Sequence, residues 1–154
     1  MAEILIDLAP YLHPERVVFL NGTPSKRDAL LYIAEVTAAQ FPPKDRAAFV
    51  KAIFDREDVT STGIGNGVAI PHARLPTLPG SLITVAICLS GIDFTSRDGK
   101  PVQIVIMIAA RDRDRAEHLR VLASVASRLQ DEALRRHLLE AKSAQAVLDI
   151  LIHG

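Results

Sequence analysis

The chain has 154 residues, 18 Lys+Arg against 18 Asp+Glu, 49% hydrophobic and 23% charged residues, and a single cysteine, Cys88. The length suits one ordinary domain with a sizeable core, the balanced charge speaks against a nucleic-acid partner held by counterion release, and one cysteine excludes an intramolecular disulfide. The apolar run Ile4-Leu5-Ile6 has no basic flank and is too short for a signal peptide, and no stretch is long enough to span a bilayer, so no membrane insertion and a cytoplasmic location are expected.

In chain order, Ile4 to Leu12 mixes apolar and polar residues and has no clear type. Val17 to Leu20 reads as a brief strand stopped by the turn signal Asn21-Gly22. Ser25 followed by Asp28 resembles a capping box with Asp in place of Glu. Leu30, Ile33, Ala34, Thr37, Ala38 and Phe41 then recur at helical spacing, which predicts a helix to about Gln40, ended by Pro42-Pro43. A second helix is expected from about Lys44, with Ala47, Val50, Ile53 and Phe54 on one face, antiparallel to the first.

The next stretch, Ser61 to Arg74, places Gly63, Gly65 and Gly67 at two-residue spacing before Val68-Ala69-Ile70 and Pro71-His72. Glycines so spaced let the backbone enter positive φ and bring N–H groups near an anion such as phosphate, and proline stiffens the ledge that presents His72. A glycine-rich turn leading into a strand, with an incidental histidine at its end, fits the same residues. Leu75 to Gly80 is a loop, and Leu82 to Leu89 is apolar almost throughout, which suggests a strand covered on both faces. Gly91 to Phe94 and Asp98 to Pro101 read as turns around a short edge segment, and the β-branched run Val102 to Ala110 as a central strand. Arg111 to Arg115 alternates in charge and reads as solvated connector. From Asp114 a helix carries His118, Val121, Leu122, Val125, Ala126 and Leu129 on one face. Asp131 can N-cap a helix with Leu134, Leu138 and Leu139, and Ser143 one with Ala146, Val147, Ile150 and Leu151. The expected fold is α/β: one three-layer domain over residues 1–154, a mixed β-sheet flanked by helices on both faces.

None of the five histidines, His13, His72, His118, His137 and His153, pairs with another at metal-ligand spacing. The chain has no Gly-x-x-x-x-Gly-Lys-Ser/Thr, no Gly-x-Gly-x-x-Gly and no Gly-x-Ser-x-Gly, so nucleotide binding and serine hydrolysis lack support, and no cofactor or metal is expected. His118, polar on an apolar stripe, is either a hydrogen-bonded core histidine or part of a site. A helix-end position could by itself account for Arg56. A histidine that handles phosphate is the chemistry left standing.

Arg56-Glu57, the run Ser61 to His72, Gly91-Ile-Asp-Phe94, Gly99-Lys-Pro-Val102 and Glu117-His-Leu119, in this order, resemble the IIA domains of the bacterial sugar phosphotransferase system. The likeness covers nearly the whole chain and is nearest to the fructose–mannitol class, within it the nitrogen-regulatory IIA proteins. It implies that His72 accepts a phosphoryl group from the phosphohistidine of an HPr-like carrier, as the nucleophile of a covalent phosphoenzyme. It further implies that His118 supports the phosphorylated site, that Arg56 pairs with phosphoryl oxygens, and that Ser61 contacts the phosphate or orients the imidazole. The implied function is a phosphoryl carrier whose phosphorylation state controls partner proteins. The alternatives are a component of fructose- or mannitol-type sugar uptake that passes the group to a IIB domain, and a IIA-like binding module that is not phosphorylated. Ala73 departs from the glycine often found after the acceptor histidine, which puts a Cβ beside the site and restricts positive φ there.

Overall fold

The computed structural model describes residues 5–154; Met1 to Ile4, where the untyped N-terminal segment and the reading of the extreme N-terminus begin, lie outside the described residues. The rest of that segment forms two 3₁₀ turns, Ala9–Tyr11 and Pro14–Arg16, each with proline in its first two positions, where a missing N–H costs nothing. They lead into β1 (Val17–Phe19).

Helix α1 spans Lys26–Ala38, and the Ser25 side chain accepts from Asp28 N–H at 3.1 Å, the forward half of the expected box. Helix α2, Pro43–Val59, takes Pro43 as its first residue rather than losing it to the turn. Strands β2 (Gly63–Gly65), β3 (Val68–Ala69), β4 (His72–Leu75), β5 (Leu82–Ile92) and β6 (Val102–Arg111) follow, then helices α3 (Arg115–Arg128), α4 (Glu132–Glu140) and α5 (Ala144–His153). Asp131 accepts from Ala133 and Leu134 N–H, and Ser143 from Ala146 N–H, as their types at those positions require. Asp114 begins α3 without capping it, because its carboxylate takes Arg111 Nε at 2.5 Å instead. Strand β5 runs past the expected stop at Leu89. After a register shift between Ile87 and Ile92, in which Gly91 takes φ +84°, the supposed turn residue Ile92 pairs with Val102 of β6.

Among the described residues, six strands form one mixed sheet in the order β1-β5-β6-β3-β2, with β4 also on β6. β6 is antiparallel to β5 and parallel to both β3 and β4, which lie end to end along it on either side of Ile70-Pro71. Alternate residues of β6 face opposite helical layers. Val105, Met107 and Ala109 pack with Ile33, Phe49 and Ile53 of α1 and α2. Ile104, Ile106 and Ile108 pack with Val121, Leu138 and Leu151 of α3, α4 and α5. This is the expected three-layer α/β arrangement, and it explains a strand apolar on both sides. The same alternation puts Val68 and Ile70 on the α3 side, and His72 follows them there.

Candidate functional site

Asn66-Gly67 joins β2 to β3 as a two-residue hairpin with both central residues at positive φ, 59° and 77°, the signature of a type I′ turn. Gly63 serves close approach instead: a Cβ there would lie 2.1 Å from Ser96 Oγ. Of the glycines expected to turn N–H groups toward an anion, Gly63 is already engaged within the chain, and so is Asn66 beside Gly65 and Gly67. Gly63 N–H goes to Ser61 Oγ at 3.1 Å, and Asn66 N–H to the Asp98 carboxylate at 3.0 Å. Gly65 and Gly67 shape the hairpin through their positive φ.

Beyond the hairpin, Ile70 N–H donates to Thr62 O at 3.0 Å and Ile108 N–H to Pro71 O at 2.9 Å, which pins the backbone on both sides of Pro71. The next side chain, His72, is half-buried, and its Nδ1 lies 2.9 Å from Ile70 O. A carbonyl only accepts, so Nδ1 carries the hydrogen and Nε2 keeps its lone pair. Burial lowers the proton affinity of His72; the Ile70 carbonyl opposes this, Arg56 lowers it further, the Glu57 carboxylate raises it and Arg74 lowers it.

His118, on α3, is 4% exposed, and its ring centroid lies 5.5 Å from that of His72 at 46°. Its Nδ1 is buried without a hydrogen-bond partner among the described residues. Burial first, then His72 and Arg74, push its pKa down to about 4, so the ring is neutral at pH 7. The unfolded chain protonates this histidine near pH 6.5, and the folded chain resists until about 4. Stability is therefore complete above pH 6.5 and is lost as pH falls through that window. At pH 5 the full shift corresponds to about 2 kcal/mol, which solvent entering through the open site cavity reduces to about 1 kcal/mol. His118→Leu is expected to reduce the difference between urea titrations at pH 7.5 and 5.0 by about that amount.

A cavity of about 520 Å³ is lined by Arg56, His72, Arg74, Asp112, Arg115 and His118 among others. A second, of about 320 Å³, adjoins it and is lined by Arg56, Ser61, Thr62, Ile64, His72 and Arg97 among others. Arg56 and His72 belong to both. Arg56 closes the last turn of α2 through Nη1 to Thr60 O at 3.1 Å, so the helix-end role and the site position coexist. Ser61 Oγ donates to Phe94 O at 2.6 Å and accepts from Gly63 N–H; it shares the smaller cavity with His72 but makes no hydrogen bond to it. His72, His118 and Arg56 are thus brought together, while the Ser61 hydroxyl is engaged elsewhere.

The connector Arg111 to Arg115 is not merely solvated surface. β6 ends beside β4, with Leu75 opposite Arg111, so the turn into α3 passes the cavity and contributes Asp112 and Arg115. Arg74 lies 4.0 Å from the Asp112 carboxylate. Arg74 was legible in principle, because residues two apart on a strand share a face. Ala73 is buried in β4 opposite Ala109 and packs in the cluster beneath α1 and α2, outside the positive-φ positions, so the local backbone has no need of a glycine there. Among the described residues no group of three His, Cys, Asp or Glu is placed to hold a metal.

A family model described as "Phosphoenolpyruvate-dependent sugar phosphotransferase system, EIIA 2" matches residues 10–154. Over 107 residues, 70% of this chain, the sequence is 41% identical to the fructose-specific EIIABC component of Bacillus subtilis, of which it spans only 17%. It is 35% identical over 138 residues to a nitrogen regulatory protein of Bradyrhizobium diazoefficiens, covering 90% of each. The crystal structure of nitrogen regulatory protein IIA-Ntr from Neisseria meningitidis is similar with a TM-score of 0.86 at 26% identity, over 94% of this chain and 98% of that one. The mannitol IIA of Escherichia coli, solved in complex with phosphorylated mannitol IIB, is similar with a TM-score of 0.75 at 25% identity, over 91% and 96%.

Proposed function

We propose, for a chain that belongs to the EIIA type 2 family of the phosphoenolpyruvate-dependent sugar phosphotransferase system, that His72 is the residue through which it accepts the phosphoryl group. The observation that carries this assignment is the hydrogen bond from His72 Nδ1 to Ile70 O, which leaves the Nε2 lone pair free on a ring that lines both cavities. In the transfer, the Nε2 lone pair attacks phosphorus in line, and the bond to the carrier's imidazole breaks with its electron pair going to the carrier nitrogen. The proton stays on Nδ1, which goes on donating it to the Ile70 carbonyl. Arg56 and Arg74 take the phosphoryl oxygens, and neutral His118 offers a hydrogen bond from its ring beside them.

The donor is an HPr-like phosphocarrier. Ile64, 50% exposed, and Leu119, 58% exposed, rim the two cavities, and apolar side chains left bare around a polar site suit docking of another protein. No helix among the described residues is long and apolar enough to cross a membrane, and the place of action is the cytoplasm, where carrier proteins of this system meet their acceptors. The likeness to nitrogen regulatory proteins over nine-tenths of each chain favours a regulator whose phosphorylation state governs partner proteins. The 41% identity to a fructose EIIABC component supports the second reading, sugar uptake by transfer to a IIB domain.

Incubation with Enzyme I, phosphoenolpyruvate and each candidate carrier is expected to give an acid-labile, alkali-stable adduct on nitrogen. Absence of label with every carrier would leave only a non-phosphorylated binding module. Discharge of the label onto a IIB domain, with sugar turnover, would decide for uptake over regulation.

A further inference from the structure

Glu57 is a charged residue that the acceptor chemistry leaves without a role. Its side chain is 4% exposed, and isolated burial of a carboxylate is costly unless the charge is paired and its oxygens are hydrogen-bonded. Both conditions are met. Oε1 receives Lys26 Nζ at 2.8 Å and Thr62 N–H at 3.0 Å, and Oε2 receives Thr62 Oγ1–H at 2.6 Å. Lys26, from the first turn of α1, also donates to Phe94 O at 3.2 Å and lies 5.0 Å over the Phe94 ring, and Ser61 donates to the same carbonyl. The ion pair therefore ties α1, α2 and the loop before β2 to one point.

From that point a single file of hydrogen bonds leads to the imidazole. Thr62, held at N–H and hydroxyl by the carboxylate, presents its carbonyl to Ile70 N–H at 3.0 Å. Ile70, restricted by the proline that follows, presents its carbonyl to His72 Nδ1 at 2.9 Å. We propose that Glu57 is a positioning residue for His72: through Thr62 and Ile70 it keeps the Nδ1 proton in place and so keeps Nε2 free of one. The carboxylate never reaches the phosphoryl group in this scheme; it acts on which nitrogen is available, as outer-shell acceptors do for ligating and catalytic histidines. The inference rests on the acceptor assignment only in calling Nε2 the nucleophile. The tautomer itself is measurable without any phosphoryl donor.

The test is a long-range ¹H–¹⁵N spectrum of unphosphorylated protein at pH 7.5, which distinguishes the two neutral imidazole forms, read together with the rate of labelling. In the wild-type chain His72 is expected as the Nδ1–H form. In Glu57→Leu the Nε2–H form is expected to appear in comparable amount, with labelling slowed on the order of tenfold or more, as for wrong-tautomer histidines. Glu57→Gln, which keeps an acceptor for Thr62 N–H, is expected to restore most of the Nδ1–H form. An unchanged tautomer in Glu57→Leu would overturn the proposal, even if labelling slowed. Should Glu57→Leu not fold, Thr62→Val decides: appearance of the Nε2–H form supports the relay, and a wild-type ring overturns it. Failure of the acceptor assignment would look different, a tautomer that responds to Glu57 in a protein that no carrier labels.

Discussion

His72→Ala is expected to carry no acid-labile phosphate under conditions that label the wild-type chain fully, a loss on the order of a thousandfold or more because the covalent nucleophile is gone. The neighbouring imidazole is no substitute. His118 is 4% exposed, so a carrier cannot bring phosphorus in line with it. Its pKa of about 4 also marks a weakly basic nitrogen, and nucleophilicity falls with basicity. The remaining histidines lie outside the site: His13 accepts from Glu15 N–H at the second 3₁₀ turn, while His137 and His153 line a separate cavity at α4 and α5. The fold has little stake in the side chain, because His72 is half-buried and β4 is held to β6 by its backbone ladder. A change in unfolding free energy within about 1 kcal/mol is expected for such a position. Circular dichroism, a thermal melt and a phosphate-retention assay check both halves. Retained label in a folded variant would move the acceptor elsewhere.

How much of this was legible beforehand depends on where the determining atoms lie. The long strands and α1, α2 and α3 were readable because burial on a sheet or helix face imposes a period on nearby residues, as in Ile104, Ile106 and Ile108 against Val105, Met107 and Ala109. Asp131 and Ser143 were readable as caps because a cap acts within three residues. The purpose of the glycines was readable only as two alternatives, a turn into a strand or an anion site. Whether the N–H of Asn66 faces an anion depends on Asp98, which arrives from beyond β5 and takes it first. Arg56, His72 and His118 could be named through a resemblance, but their assembly needs α2, β4 and α3 to converge on one cavity. Glu57 was visible only as the neighbour of Arg56; its burial makes sense once Lys26 is seen to come over from α1. Asp112 and Arg115 looked like ordinary solvated charges, since alternating charge carries no sign of what lies beneath it.

Arg56→Ala is expected to slow phosphoryl acceptance by about 10²–10³-fold, the usual consequence of removing a donor aimed at developing negative charge. Arg56 stands on the wall shared by the two cavities, with one guanidinium nitrogen anchored on Thr60 O and the rest of its fork left for a ligand. The guanidinium also acts on the nucleophile, because it helps hold the proton affinity of His72 down. Its removal lets His72 take up a proton more readily, which withdraws neutral imidazole as pH falls. The two contributions separate by pH: the deficit of Arg56→Ala is expected to be larger at pH 6 than at pH 8, and to persist at pH 8 as the part owed to lost phosphoryl contacts. Arg56→Lys keeps the charge near His72 but not the planar fork, so it is expected to recover the pH dependence and little of the pH 8 rate. Stability is expected to change by no more than about 1 kcal/mol, the worth of a cation at a helix end. A wild-type rate in Arg56→Ala would remove the arginine from the site, and a deficit independent of pH would leave it the phosphoryl oxygens alone.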